Sequence, residues 1–181
     1  LTAADLPGHA DLAWASSPCQ DFSLAGKRAG LAGGRSSAFF GFWTLMQALG
    51  RQGRAPAVIV VENVVGMLTA NGGADFTALC QALADEGYVF GVLEIDARGF
   101  VPQSRPRVFV VAVRGEAPTA LIGASPFRTP AILKAQARLP AALQRSWRDW
   151  RLSAPAPRNA DLIDLLEPDD AVAWHEPEAA Q

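Results

Sequence analysis

The chain has 181 residues, half of them apolar, with a net charge of −2, two cysteines and two histidines. That length and apolar content suit a single globular domain with a substantial core. Cys19 and Cys80 are too far apart for a paired metal-ligand spacing or a disulfide framework, and there is neither an apolar run of about 18 residues nor a basic-then-apolar leader, so a cytoplasmic protein with no metal and no membrane contact is expected.

In chain order, "DLAWAS" before Pro18 and "AVIVVEN" at 57–63 are short apolar runs bounded by turn residues, and both suit buried parallel strands. Between them, residues 36–49 place Phe39, Phe42, Met46 and Leu49 at helical spacing, with Ser36 or Ser37 available to cap a crossover helix. Asp75 is positioned to cap a second helix whose Phe76, Leu79, Cys80 and Leu83 share one face, which makes Cys80 a core residue, and Gly87 falls where a left-handed residue ends a helix. "YVFGVLEI" at 88–95 and "RVFVVAV" at 107–113 read as two further strands. The order strand, helix, strand, helix, strand, strand implies an α/β sheet. Beyond residue 115 the pattern dissolves into Pro, Ala and Arg with scattered Trp, so a boundary is expected near residue 117, dividing 1–117 from 118–181.

Charge is unevenly distributed. Residues 22–61 hold Lys27, Arg28, Arg35, Arg51 and Arg54 with no acid, and residues 97–115 hold Arg98, Arg105, Arg107 and Arg114 with none. Two basic surfaces are expected, and for any one block a solvated face is favoured over a phosphate contact. The acidic stretch 159–181 offsets them in the total.

The stretch "SSPCQDFSLAGKRAGL" raises the question of chemistry, because Cys19 just past a strand could be a small buried hydrophobe, a metal ligand or a nucleophile. In parallel sheets ligands gather beyond the carboxyl ends of strands, which puts Cys19 and Glu62 on one rim. A cysteine hydrolase would need a histidine base, and His9 and His175 lie near the two ends of the chain. Addition to an electron-poor ring fits better: a thiolate attacking C6 of a pyrimidine makes C5 nucleophilic if a carboxylic acid at N3 and an arginine at O2 hold the displaced charge.

Three segments, "SPCQDFSLAGKRAGL", "VVENVVGM" and "GFVPQSRPRVFVV", occur in the order and spacing used by the DNA (cytosine-5) methyltransferases, and the chain resembles that family over roughly residues 5–115. "GYVFGVLEIDARGF" resembles the stretch leading into the last motif. The resemblance implies a partial Rossmann-like S-adenosylmethionine-dependent methyltransferase sheet, with residues 118–181 forming the start of a target-recognition region or an irregular tail. It implies that Cys19 adds to C6, that Glu62 binds N3 and the exocyclic amine, and that Arg107 holds O2, with Arg105 and Gln103 organising the site. Gln20, Ser23, Lys27, Arg28, Arg35 and Asn63 are implied contacts to the substrate, and residues 20–34 a loop that closes on double-stranded DNA once the target base has left the stack.

The family's cofactor site begins with a glycine-rich turn after an initial strand, and nothing of that kind precedes Leu1. Pro18 and the Ser37–Ala38–Phe39 turn are the implied remaining contacts to S-adenosylmethionine, so weak cofactor binding is expected. Motifs that close the family's fold at the C-terminal end are missing too, and Phe127, Trp147, Trp150 and Trp174 fit target recognition or simple packing equally well. The resulting expectation is a modification-type DNA methyltransferase with a possible cognate restriction system. The alternatives are a truncated, inactive nucleic-acid-binding relative or an enzyme methylating tRNA.

Overall fold

The computed structural model describes residues 1–16, 38–168 and 171. These fall into two compact units, the first made of Leu1–Ile95 with Pro106–Ala154 and the second of Asp96–Arg105 with Pro155–Gln181.

The first unit is a four-stranded sheet. Strand β1 (Leu12–Ala15) leads by way of helix α1 (Ala38–Arg51) to β2 (Val58–Asn63), and helix α2 (Ala74–Asp85) precedes β3 (Tyr88–Asp96) and β4 (Pro106–Arg114). The strands lie in the order β1-β2-β4-β3. β1 and β2 are parallel, with Ala15 opposite Val61, as a crossover helix requires, whereas β2 and β4 are antiparallel, with Glu62 opposite Phe109. All four strands and both helices therefore form at the positions that the periodicity predicts.

Alternation along the strands sends Ile59, Val61, Val108, Val110 and Ala112 to one face, where they join Phe39 and Met46 of α1 and Phe76, Leu79, Cys80 and Leu83 of α2 in one core. Full burial of side chains such as Phe39, Phe76 and Phe90 contributes about 1.5–3 kcal/mol each. Cys80 is buried, as its place on the α2 stripe predicts, and burial pushes its thiol pKa far upward.

β1 departs from expectation. It is not buried on both faces, since Leu12 and Trp14 are 52% and 53% exposed. A short apolar run cannot reveal whether one face or two will be covered, because that depends on what packs there. Trp14 instead meets Phe109 edge-on, with ring centroids 5.9 Å apart, and donates its indole N–H to Ser16 Oγ at 2.8 Å.

The start of α2 also differs in detail. Gly73 takes the N-cap position in a left-handed conformation, and Asp75 lies inside the first turn, buried, accepting a bond from Asn71 Nδ2 at 2.7 Å. A carboxylate there still complements the helix dipole. Gly87, at φ 79°, follows the end of α2 as predicted.

The core does not stop at residue 117. Helices α3 (Pro130–Arg138) and α4 (Ala141–Ser146) add Ile132, Ala135 and Leu143, and Trp147 follows them into the same cluster. Trp147 packs edge-on against Phe76 and Phe90, at centroid distances of 6.5 and 6.0 Å, and its N–H reaches Asp149. Trp150 is buried as well and donates to the Val111 carbonyl at 3.1 Å. For these two tryptophans the packing alternative holds; Trp174 lies outside the described residues.

Several arginines of the two basic blocks are engaged within the fold. Arg54 donates to the carbonyls of Ala3, Leu6 and Gly8 and so fastens the N-terminal segment. Arg98 pairs with Asp96 and Arg107 with Glu62, which reduces the cationic surface that the sequence suggests.

Candidate active site

Because β1 and β2 are parallel, both strands deliver their carboxyl ends to one rim, and the chain leaves β1 for the Pro18-Cys19-Gln20 segment from that rim. Glu62 is the penultimate residue of β2. β4 runs the opposite way, so its first residues come to lie beside the last residues of β2. Arg107 stands two residues before Phe109, the cross-strand partner of Glu62, and the two-residue period places Glu62, Phe109 and Arg107 on one face.

On this diagonal Arg107 Nε lies 3.1 Å from Glu62 Oε1, with both side chains 20% exposed. Arg107 Nη1 also donates to the Pro106 carbonyl at 2.8 Å, which restricts the guanidinium's rotation. The pair offers a carboxylate and a planar cation side by side on the half-covered face of the sheet, a combination suited to a flat polar ring carrying adjacent donor and acceptor atoms.

Asn63 follows Glu62 but alternates to the other face and is buried, with Oδ1 accepting the Val64 N–H at 2.9 Å. Gln103 and Arg105 belong to the second unit, where both are exposed. There the Gln103 N–H bonds to the Val101 carbonyl at 2.8 Å, and the Arg105 N–H donates to Asp96 Oδ1 at 2.7 Å. Cys19 and the other expected contacts Pro18, Gln20, Ser23, Lys27, Arg28, Arg35 and Ser37 lie outside the described residues. Ala38 is the first residue of α1.

No group of three or more His, Cys, Asp or Glu side chains among the described residues could hold a metal ion, and none of their helices is long and apolar enough to cross a membrane.

The profile of the C-5 cytosine-specific DNA methylases matches residues 1–161. The chain belongs to this family. Among curated proteins it is similar to the type II methyltransferase M2.BsuMI of Bacillus subtilis (strain 168), with 36% identity over 113 residues, covering 62% of the chain and 29% of that protein. It is also similar to the type II methyltransferase M.HaeII of Haemophilus aegyptius, with 31% identity over 112 residues, covering 61% of the chain and 33% of that protein. Among solved structures the S. pombe Dnmt2 methyltransferase aligns over 65% of the chain and 35% of its own length, at 24% identity and a TM-score of 0.48. The chain thus spans about a third or less of the length of these curated relatives.

One residue with an evident local role escaped the sequence reading. Asp96 accepts four hydrogen bonds within the second unit, and its only sequence signal is an aspartate directly before a turn.

Proposed function

We propose that this chain carries the cytosine-binding part of a DNA (cytosine-5) methyltransferase, in which an extruded cytosine meets Glu62 and Arg107 while Cys19 adds to the ring. The observation that carries this reading is the Glu62–Arg107 pair, 3.1 Å apart on the rim from which β1 sends the chain toward Cys19.

The chemistry follows from the ring. Attack of the Cys19 thiolate on C6 forms a C–S bond and pushes the C5–C6 π electrons toward C5, with charge delocalised toward N3 and O2. Glu62, as the carboxylic acid, donates its proton to N3 while its other oxygen accepts from the exocyclic amine, and Arg107 donates to O2, so both stabilise that charge where it develops. S-adenosylmethionine, when bound, would supply the electrophilic methyl group, the C5–methyl bond forming as the sulfonium–methyl bond breaks and S-adenosylhomocysteine leaves. A base then removes the C5 proton, the C6–S bond breaks, and the thiolate returns to Cys19. Neither face of the ring is reachable inside a stacked duplex, so the base must leave the helix first.

Gln20, Ser23, Lys27, Arg28 and Arg35 are assigned to DNA contacts around the closing segment. Pro18, Ser37 and Ala38 are assigned to the cofactor's edge. Residues 118–181 are assigned to the beginning of target recognition, a functional division laid over a core that continues to Ala154. A cytoplasmic setting, double-stranded DNA as partner and a cognate restriction system complete the proposal.

Paired transfer assays with labelled S-adenosylmethionine test it. Methylation of duplex DNA by the protein carrying these residues, abolished by Cys19→Ser, is the expected outcome. Methylation of tRNA alone would overturn the substrate assignment, and a covalent adduct with 5-fluorocytosine DNA that persists in Cys19→Ser would overturn the nucleophile.

A further inference from the structure

Residues 117–148 contain five cations, Arg128, Lys134, Arg138, Arg145 and Arg148, and no acid, in a chain whose net charge is −2. All of them belong to the first unit. The fold engages two of them internally. Arg128 pairs with Asp149 at 3.0 Å and donates to Gln136 Oε1 at 2.8 Å. Arg148 Nη1 donates to the carbonyls of Arg145 and Trp147, each at 2.8 Å. Lys134, Arg138 and Arg145 are exposed, and among the described residues none of the three has a carboxylate within ion-pair range.

Helix α3 sorts its residues by face. Ile132, Ala135 and the following Leu139 are buried, which leaves Lys134 and Arg138, about one turn apart, on the outer face. Like charges at that spacing repel and weaken a helix, so the pair does not serve folding and is suited to an anion bound across it. Arg138 also lines a cavity of about 280 Å³ together with Leu68, Gly72, Gly73 and Thr77.

The position of α3 links this surface to the candidate site. α3 packs on the turn Val65–Leu68, which comes just after β2, so these cations stand at the end of the sheet that carries Glu62 and Arg107. Arg114 is exposed too, but it closes β4 at the opposite end, where its N–H bonds to the Ala57 carbonyl at 2.9 Å.

We propose that Lys134 and Arg138 form a phosphate-binding surface for duplex DNA, holding the backbone near the base site by charge and reading no base. The inference rests on the DNA reading above. Two cations on the outer face of one helix, with no acid beside them, neutralise neighbouring phosphates whatever the sequence. The cavity beside Arg138 gives one phosphate oxygen room to settle against the guanidinium.

The test uses the whole 181-residue chain and fluorescently labelled duplexes of two unrelated sequences, with binding followed by anisotropy over a range of salt concentrations. Each phosphate contact contributes about 0.9 to the slope of log K against log salt. Lys134→Gln combined with Arg138→Gln should therefore reduce the slope by about two and weaken binding about tenfold or more at low salt, by the same factor on both sequences. Arg138→Lys keeps the charge and should keep the slope, and Arg114→Gln, at the far end of the sheet, should leave it unchanged. Thermal midpoints should stay level, because all three positions are exposed. An undiminished slope in the double variant, or an equal loss in Arg114→Gln, would overturn this surface and leave the base site standing. An unsubstituted chain that binds no duplex would overturn the DNA reading and the surface with it. Tighter binding of tRNA than of either duplex would overturn duplex DNA as the partner.

Discussion

Glu62 and Arg107 form an ion pair across antiparallel strands, 3.1 Å apart and mostly screened from solvent, although 45 positions separate them in sequence. Each holds the other's orientation before any ligand arrives. That preorganisation is what a site needs when charge develops on a ring for only a moment.

Substitution should separate the pair's structural and chemical parts. Glu62→Gln keeps shape and one acceptor, so it should lower stability by about 1 kcal/mol or less, as for a partly exposed pair. Methyl transfer should fall by about 10²–10³, the usual result of removing one preorganised stabiliser. Urea unfolding and single-turnover transfer assays measure the two. Equal methylation by Glu62→Gln and the unsubstituted protein would remove Glu62 from the chemistry.

Alkylation should report the packing of Cys80. Cys80 is buried, and its raised pKa keeps it protonated and inert at pH 8. Iodoacetamide should therefore spare Cys80 in the native chain and label it after denaturation, as peptide mass spectrometry would show. Labelling of Cys80 in the native protein would mean that the α2 face opens.

Gly91→Ala should disturb the seat of Trp150. A Cβ at Gly91 would stand 1.9 Å from the Arg148 carbonyl oxygen and 2.8 Å from the Trp150 Nε1, so backbone has to move. Overpacking of this kind costs about 1–3 kcal/mol. A lower denaturation midpoint together with altered tryptophan emission is expected; an unchanged midpoint would show that residues 148–150 are not held against β3.

Asp96, whose carboxylate accepts bonds from Arg98, Ser104 and Arg105, predicts an acid limb in stability. Its folded pKa, about 2, lies below the ordinary 3.8, so its contribution is complete above about pH 5 and disappears as pH falls through 2. Asp96→Asn cannot titrate. The difference in urea midpoint between Asp96→Asn and the unsubstituted protein should be constant from about pH 7 to about pH 5 and change only between about pH 5 and pH 2. A change near neutrality would point to a different group.

Sequence alone determined the elements, because helical and strand periods are local properties: the Phe39–Leu49 stripe, the Phe76–Leu83 stripe and the four β-rich runs all form where the residues dictate. It also determined the family, since the three motifs occur in order along the chain and the family profile matches residues 1–161, which contain them. Tertiary structure alone decided the direction of β4 and hence the register that brings Arg107 to Glu62, because strand pairing depends on contacts between distant residues that no local pattern encodes. It likewise decided that Trp147 and Trp150 pack into the core, that Arg54 holds backbone carbonyls, and that Asp96 clasps its loop. Each of these is a choice of partner, and a side chain's partner is fixed only when the chain has folded around it.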